Sequence, residues 1–448
     1  MKAYTPIVGM EIHVELKTKS KMFCACKNDP FHAPKPNMYT CPVCLGLPGA
    51  LPVANKQAVE WTIMLGLALG STIPLDSKFD RKNYFYPDLA KGYQISQYDQ
   101  PLCIGGQISF TVTEDGRDVV KTVRIHRVHL EEDTGKLLHA TIEGEKVSLI
   151  DFNRSGVPLV EIVTEPDIHS AEEAKQFLKK LHQIIRYLHI SDANMDEGSM
   201  RLEPNISLQR EGETALPKYK VEVKNINSFN FVKKAIDFEV KRHQEILDRG
   251  ETPKQETRGW DEKKNVTLPQ RSKEGAEDYR YFPDPDLPPM HWTQNYIDEL
   301  KKKLPEMPDV RLKRFEKEFG LPLQDAQRLV DDKSRADYFE ACVNFDKQVS
   351  AKTIANWLLN KNVDIEKVSP KELVEQIKQA KQIVQMDETQ LSQILEHVIT
   401  ANAKAVTDYK SGKTGVIMFL VGMVMKELKG KGDAQQVQRT LVKILNVE

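Results

Sequence analysis

The residues best suited to chemistry are acidic side chains and a histidine inside segments that read as β-strands. Glu11, His13 and Glu15 alternate with apolar residues, and the two-residue period of a strand places all three on one face. Comparable acidic positions in three further strand-like segments are Glu131 and Glu132, Glu161, and Glu222. A carboxylate inside a strand is costly unless it is paired or bound to a metal. Oxygen ligands with one imidazole suit Mg²⁺, so these strands predict a metal–phosphate site, although each residue alone could face solvent on a sheet.

Cationic and aromatic residues accompany these strands. Phosphoryl transfer needs a metal that bridges phosphate oxygens, and Arg or Lys to offset charge on the moving group. Aromatic rings beside cations can also stack on nucleotide bases. The candidates for contacts with ATP or substrate are Arg81, Lys82, Tyr86, Lys91, Tyr93, Arg201, Lys224, Arg271 and Lys273. Arg154 is a further candidate, for a catalytic role. In loops such residues are most often solvated or packed, so this prediction depends on the acidic strands.

Four of the six cysteines form a cluster near the N-terminus. Cys24 and Cys26 are separated from Cys41 and Cys44 by fourteen residues. Two close pairs joined by a loop suit tetrahedral thiolate ligation of zinc, although the first pair has a one-residue gap where two residues are usual. Four reduced thiols packed near a loop are the alternative. Because sulfur would fill all four positions, we expect a structural rather than a catalytic zinc site.

Length and charge limit the classes of protein. A chain of 448 residues is too long for one core and indicates two or three domains. Lys plus Arg number 64 and Asp plus Glu number 65, for a net charge of -1, so an RNA partner would need local basic patches or recognition by shape. The longest apolar stretches, 61–69 and 415–425, are too short to span a bilayer. Without a signal-like N-terminus, we expect a cytoplasmic protein with no membrane contact.

The organisation of the chain changes near residue 290. Short alternating runs separated by turn residues predict a mainly antiparallel sheet before that point; they are 5–15, 106–113, 119–130, 146–151 and 219–224. Ser170 with Glu173 is a capping-box signature ahead of one amphipathic helix, and 228–249 predicts a second that stops near Gly250. Amphipathic helical segments then dominate, at 294–304, 310–319, 323–332, 348–361 and 370–384. We therefore predict an α+β domain over 1–291, a helical domain over 292–387 and a small helical tail domain over 388–448.

Eight segments, taken in order, resemble a known family. They are VGMEIHVEL (8–16), CPVCLGLPG (41–49), FDRKNYFYPD (79–88), HLEED (129–133), DFNRSGVPL (151–159), DEGSMR (196–201), KNINSF (224–229) and DYRYFP (278–283). They are similar to the successive signatures of the B-subunit family of the tRNA-dependent aspartyl/glutamyl-tRNA amidotransferases. Eight ordered motifs are far more specific than any single short pattern. Between about 376 and 386 the chain is shorter than members of that family.

The resemblance implies a cradle-shaped α+β domain with a kinase-like site, then the helical domain and a tail domain that contacts tRNA. The reaction it implies is ATP-dependent phosphorylation of the side-chain carboxyl of Glu-tRNA(Gln) or Asp-tRNA(Asn), then amidation by ammonia. The partners it implies are an amidase-family glutaminase and a small stabilising subunit. The Mg²⁺ ligands that the resemblance implies are Glu11, His13, Glu131, Glu132, Glu161 and Glu222. The catalytic residues that it implies are Glu11, His13, Glu131 and Arg154. It also adds Asn225 to the residues that contact ATP or substrate.

Two other functions compete with this one. A zinc-stabilised tRNA-binding module without catalysis would gain nothing from acidic residues that face a polyanion. A metal-dependent phosphoesterase could use the same ligands but would leave the long helical C-terminal part unexplained. Gly412-Lys413-Thr414 resembles the end of a P-loop, but Thr407 stands where the first glycine is required. No serine or cysteine lies in a turn suited to releasing ammonia from glutamine, so another chain must supply it.

Overall fold

A computed structural model describes residues 4–272, 279–361, 363–382, 388–428 and 434–445. It confirms the α+β class. The strands are β1 (Tyr4–Glu15), β2 (Asp76–Ser77), β3 (Asp80–Asn83), β4 (Tyr93–Ser96), β5 (Cys103–Ile104), β6 (Gln107–Glu114), β7 (Arg117–Glu132), β8 (Lys136–Ile142), β9 (Glu145–Asp151), β10 (Pro158–Thr164), β11 (Met200–Arg210), β12 (Val221–Lys224), β13 (Glu256–Asp261), β14 (Val266–Ser272), β15 (Phe282–Pro283) and β16 (Met290–His291).

The helices divide between the two parts of the chain. Those near the sheet are α1 (Lys56–Ala68), α2 (Ala171–Leu188), α3 (Phe229–Asp248) and α4 (Gln294–Lys302). The later helices are α5 (Pro308–Phe319), α6 (Leu323–Val330), α7 (Lys333–Phe345), α8 (Ala351–Asn360), α9 (Pro370–Gln382), α10 (Glu388–Ala401), α11 (Ala403–Lys410), α12 (Ile417–Glu427) and α13 (Ala434–Leu445), with a 3-10 turn at Thr414–Val416. Of these, α7 was not predicted from the sequence.

A large sheet dominates the first part. Its strands run in the order β14-β13-β12-β11-β1-β10-β7-β5, with β6 paired to β7. The pairs are antiparallel except for β12 and β13. Alternate residues of the central strands, such as Ile12, Val160 and Leu202, are buried in one apolar core with Phe177 of α2 and Ile236 of α3. The remaining positions of β1, β10 and β11 therefore point to the opposite face of the sheet.

The two helices against the sheet begin as the sequence predicts. The Ser170 hydroxyl accepts a hydrogen bond from the Glu173 N–H at 3.1 Å, and the Glu173 carboxylate accepts one from the His169 N–H at 2.8 Å. These reciprocal bonds satisfy backbone donors that a helix start leaves free. Helix α3 begins after Ser228, which caps it, and Gly250 ends it with a φ of +81°, which a glycine adopts at little cost.

The contacts divide the chain into two compact units, one up to Val310 and one from Arg311. The first unit includes α4, which the sequence assigned to the helical domain, because Trp292 and Ile297 pack against its core. In the second unit, the rings of Phe315 and Phe339 pack 5.1 Å apart between centroids, and α10, α12 and α13 share a separate buried cluster. In the part of the chain that the structure describes, no helix is long and apolar enough to cross a membrane.

Candidate functional site

Strand register gathers the polar residues on the face of the sheet opposite α2 and α3. His13 lies across from Glu161 of β10 and from Arg201 of β11. Glu161 in turn lies across from His129 of β7. Residues in register on neighbouring strands point to the same side, so these side chains converge from four strands. The alternation in β1 thus becomes a polar surface that spans the middle of the sheet.

The first group on this face is His13, Glu131 and Glu161, here called the histidine cluster. His13 Nε2 is 3.8 Å from Glu131 Oε1 and 3.5 Å from Glu161 Oε2. One candidate ligand atom from each residue lies within 4.8 Å of the other two. His129 Nε2 also contacts Glu161 Oε2, at 3.1 Å, and the Ser96 hydroxyl donates to Glu131 at 3.0 Å. Two carboxylates and one imidazole at this spacing can hold a divalent cation.

In the histidine cluster, carboxylates lie beside basic groups whose positive form they stabilise. Burial opposes protonation of His13, but the carboxylates of Glu161 and other acidic neighbours raise its pKa to about 9. Burial raises the pKa of Glu161, yet His129 and His13 hold it well below the usual value. Lys82 is half-buried close to the same carboxylates, and Glu131 raises its pKa although desolvation opposes the charge. Its ammonium lies 4.9 Å from the centre of the Tyr279 ring. The carboxylates thus favour a positive charge at this position, and a divalent cation bound to His13 would take the place of its proton.

The second group is Glu11, Glu203 and Glu222, here called the acidic cluster. Its carboxylate oxygens also lie within 4.8 Å of one another. Lys224 contacts Glu203 at 2.9 Å and Glu222 at 3.3 Å, and the Asn205 amide donates to Glu11 at 3.0 Å. Burial and then the carboxylates of Glu161 and Glu222 raise the pKa of Glu11. Lys224 pairs with two of the three carboxylates, and the oxygen-only ligand set also fits a hard cation.

A third group of charges lies beyond His13, at the end of β1. Asp133 forms ion pairs with Arg201 and, at 3.8 Å, with Arg154. Burial opposes its ionisation, but the two guanidinium groups keep its pKa below the usual value. Glu15 is buried beside it, and burial followed by the Asp133 charge raises its pKa well above normal. Arg154 also donates to the Gly135 carbonyl at 2.8 Å, so its side chain is held in place at this edge of the polar face.

Not every predicted residue reaches the polar face. Glu132 follows Glu131 on β7, points to the other side and pairs with Lys91, so neither joins the two clusters. Arg81 is engaged by Asp284 at 2.8 Å and also pairs with Asp286. Other placements follow: Tyr93 packs its ring on Arg81, Tyr86 is exposed, and Asn225 follows β12 with a φ of +62°. Arg271 belongs to β14, but its side chain is not described, and Lys273 lies outside the described residues.

A cleft of about 390 Å³ opens beside the acidic cluster. Gly9, Met10 and Glu11 line it on β1, and Asn205 lines it on β11. The segment around Leu216, which is 61% exposed, forms another wall. Lys218 and Lys220 from that segment contribute cations. The cleft therefore joins an apolar wall and two lysines to a cluster of carboxylates, a combination that the sequence did not reveal.

The four cysteines predicted to bind zinc lie together, with their sulfur atoms within 4.8 Å of one another. Cys41 and Cys44 have sulfur atoms 3.9 Å apart, and a tetrahedral zinc site with bonds of about 2.3 Å needs roughly 3.8 Å. A hydrogen bond from Cys24, assisted by the charge of Lys21 and opposed by burial, lowers the pKa of Cys44 to about 5. A cluster of this kind can hold a metal such as zinc.

Comparison with known proteins gives the family. The family described as GatB/GatE catalytic domain matches residues 6–298, and the GatB domain matches residues 362–445. The chain belongs to the GatB/GatE family. The B-subunit of an aspartyl/glutamyl-tRNA(Asn/Gln) amidotransferase from Thermomicrobium roseum is 45% identical over 484 residues, covering 99% of each chain. The relative of the same name from Caldanaerobacter subterraneus is 45% identical over 98% of each chain. The one from Thermotoga sp. strain RQ2 is 43% identical over 99% of this chain and 100% of its own.

The alignments with the GatB/GatE relatives contain gaps in this chain. The alignment with the Thermomicrobium protein runs over 484 residues, whereas this chain has 448. The Thermomicrobium protein therefore carries residues that have no counterpart in this chain. The proposed site of that shortening, about 376 to 386, stays a prediction because residues 383–387 lie outside the described residues.

Two residues of the polar face were not among the predicted site residues. Glu203 completes the acidic cluster, and His129 contacts Glu161. Glu203 lies between Arg201 and Asn205 in β11 with polar residues at every second position, the same alternation that drew attention to β1. His129 precedes the predicted acidic pair by two residues and could have been found by the same period.

Proposed function

We propose that this chain is the ATP-using subunit of a tRNA-dependent amidotransferase. It activates the side-chain carboxyl of Glu on tRNA(Gln), Asp on tRNA(Asn), or both, and the activated carboxyl is amidated. This is an ATP-dependent carbon–nitrogen ligase reaction, and the proposal includes a cytoplasmic location. The observation that carries the proposal is the polar face, where two carboxylate clusters converge in a chain of the GatB/GatE family.

The chemistry divides into two steps. An oxygen of the substrate carboxylate attacks the γ-phosphorus of ATP, ADP leaves, and an acyl phosphate forms. Ammonia then attacks the acyl carbon, phosphate leaves, and the nitrogen loses a proton to give the amide. Bound Mg²⁺ would offset the negative charge of the phosphates, held by His13, Glu131 and Glu161 and by Glu11, Glu203 and Glu222.

The residues around the clusters suggest where each substrate binds. The cleft beside Glu11 has an apolar wall at Leu216 and lysines at 218 and 220, which suit a base and phosphates respectively. Lys220 lies near enough to Glu11 that its positive charge opposes the rise in the pKa of that carboxyl. We assign the nucleotide to this cleft. Arg154 and Arg201 lie at the opposite end of the polar face, where their charges can orient an incoming carboxylate or phosphate.

The partners follow from the same reaction. In the described part of the chain we find no nucleophile arranged to hydrolyse glutamine, so we propose that an amidase-family glutaminase supplies ammonia. A small third subunit would stabilise the complex, and the tail domain would contact tRNA. A non-catalytic, zinc-stabilised tRNA-binding subunit is the alternative. The acidic clusters disfavour it, because buried carboxylates repel a polyanion unless a cation lies between them.

The experiment measures both steps in the assembled complex. ATP cleavage and amide formation are followed with Glu-tRNA(Gln) and with Asp-tRNA(Asn), using either glutamine or ammonia as the nitrogen donor. For His13→Ala and Glu131→Gln we expect ATP cleavage to collapse while tRNA affinity stays near that of the wild type. Unchanged cleavage in both variants would refute the active-site assignment. Glutamine-dependent amidation by this chain alone would refute the need for a glutaminase.

A further inference from the structure

A lysine with no exposed surface lies against the cysteine cluster. Lys21 is 0% exposed, and its ammonium makes three contacts. It donates to the Tyr39 carbonyl at 2.6 Å and to the Phe152 carbonyl at 3.2 Å, and it lies 3.9 Å from Cys44 Sγ. Lysine is almost never fully buried without a partner of opposite charge, so this position needs an explanation.

The usual explanation, a carboxylate partner, does not apply here. Within the residues that the structure describes, Lys21 forms no ion pair with an acidic side chain. The nearby carboxylate of Glu132 is engaged by Lys91. Two backbone carbonyls satisfy hydrogen bonds but carry no net charge, and an isolated buried ammonium is strongly disfavoured. The remaining contact that the structure describes is the sulfur of Cys44, one of the four candidate zinc ligands.

We infer that Lys21 balances the charge of the cysteine centre and fixes the position of its Cys44 ligand. The inference rests on the proposed zinc site and goes beyond it. Four thiolates around Zn²⁺ leave a net charge of about −2, which burial makes costly. The Lys21 ammonium offsets part of this charge, and the Cys41 N–H, 3.1 Å from Cys44 Sγ, adds a second donor to the same sulfur.

Lys21 also connects the cysteine centre to the segment that carries Arg154. Its bond to the Phe152 carbonyl is one of several between these two regions. The Ser155 hydroxyl donates to the Cys44 carbonyl at 2.8 Å, and the Met22 N–H donates to the Gly156 carbonyl at 2.7 Å. The cysteine centre therefore holds the segment on both sides of Arg154, and Lys21 is a positioning residue for that segment rather than a catalytic one.

The test compares three variants of the full chain, purified in its complex and loaded with zinc. Lys21→Gln removes the charge but keeps a hydrogen-bond donor, and Lys21→Arg keeps the charge. Lys27→Gln is the matched control, because Lys27 follows Cys26 but is 57% exposed and pairs with Asp29 at 2.7 Å. The readouts are zinc release to a chromogenic chelator and the absorption spectrum after cobalt substitution. Folding of each variant is checked by circular dichroism.

We expect Lys21→Gln to weaken zinc binding on the order of 10- to 100-fold, the usual effect of losing an outer contact to a metal ligand. Lys27→Gln should bind zinc like the wild type, and Lys21→Arg should recover most of the affinity. Wild-type zinc release from Lys21→Gln would overturn the inference while leaving the zinc site intact. A wild-type chain that binds no zinc would overturn both. If Lys21→Gln does not fold, Lys21→Arg still decides: rapid zinc release from it would contradict the role of charge.

Discussion

Replacing Glu161 with glutamine removes the central negative charge of the histidine cluster without changing the size of the side chain. Glu161 Oε2 lies 3.5 Å from His13 Nε2 and 3.1 Å from His129 Nε2. The carboxylate is thus shared by two buried imidazoles and is also one of the three candidate metal ligands. A neutral amide would bind a cation weakly, and both histidines would lose the anion that raises their pKa.

The size of the effect can be worked from these distances. Two unit charges 3.5 Å apart interact by about 5 kcal/mol at an effective dielectric constant of about 20. The loss is smaller than this energy, because the glutamine amide of the variant still donates and accepts hydrogen bonds. Loss of one preorganised electrostatic contact typically lowers a rate on the order of 10²- to 10³-fold. We therefore expect Glu161→Gln to slow tRNA-dependent ATP cleavage by that factor, with little change in tRNA affinity.

A matched control lies four residues further along the chain. Glu165 also contacts a histidine, His126, at 2.8 Å, but both side chains are more exposed and lie outside the polar face. Glu165→Gln should therefore leave ATP cleavage within about twofold of the wild type, because exposed ion pairs contribute little. The assay is release of phosphate from ATP by the complex at saturating aminoacyl-tRNA. Equal rates for the Glu161 and Glu165 variants would refute the assignment of the histidine cluster to phosphoryl transfer.

Three further predictions test other parts of the chain. Metal analysis should find about one zinc per chain. The Cys41→Ser variant should bind no zinc and have a lower melting temperature, with a smaller effect on activity. A zinc-free wild-type protein of full stability would contradict the zinc site. Gly9→Ala should narrow the cleft without disturbing the fold, because the nearest atoms to its new methyl group would lie 3.9 Å away. The KM for ATP should rise while the melting temperature stays unchanged. An unchanged KM would refute the assignment of the nucleotide to this cleft. Despite burial, His243 and Arg242 lower the pKa of Glu239 to about 2. The ionised carboxylate therefore stabilises the folded protein by up to about 3 kcal/mol. This contribution is present above about pH 4.5 and is lost as the pH falls toward 2. Denaturant unfolding between pH 5 and 2.5 should show this loss in the wild type and a smaller one in Glu239→Gln, and identical slopes would refute the role of Glu239.

The parts of the fold that follow from local pattern were predictable. The alternation of 5–15 gives β1, and the pairing of Ser170 with Glu173 gives the start of α2, because both depend on residues a few positions apart. The cysteine pairs were equally readable, since their spacing is itself the signal. Helix α7 was missed although Asp332 caps its first turn. Its buried side chains include the neighbours Tyr338 and Phe339, so its apolar residues do not show a clear helical periodicity.

The composition of the site depended on partners far apart in the sequence. Arg81 was expected at the substrate, yet Asp284 and Asp286 engage its guanidinium. Those partners lie 203 and 205 residues further along the chain. Nothing near Arg81 in the sequence distinguishes an arginine committed to an ion pair from one that is free to bind phosphate. The acidic cluster was hidden for the same reason, because only the register of β11 against β1 places Glu203 opposite Glu11.

Glu131 and Glu132 show how far strand periodicity alone can assign a site. Two consecutive residues of a strand must point to opposite faces, so only one of them can share a face with Glu161. The register decides which one: Glu161 lies across from His129, and Glu131 is two residues further along β7 on the same side. Glu132 then points away, toward Lys91 and the Ile95 N–H, from which it accepts a hydrogen bond at 3.1 Å. The period therefore limits the candidate metal ligands to one of the pair, and the pairing of β7 with β10 selects Glu131.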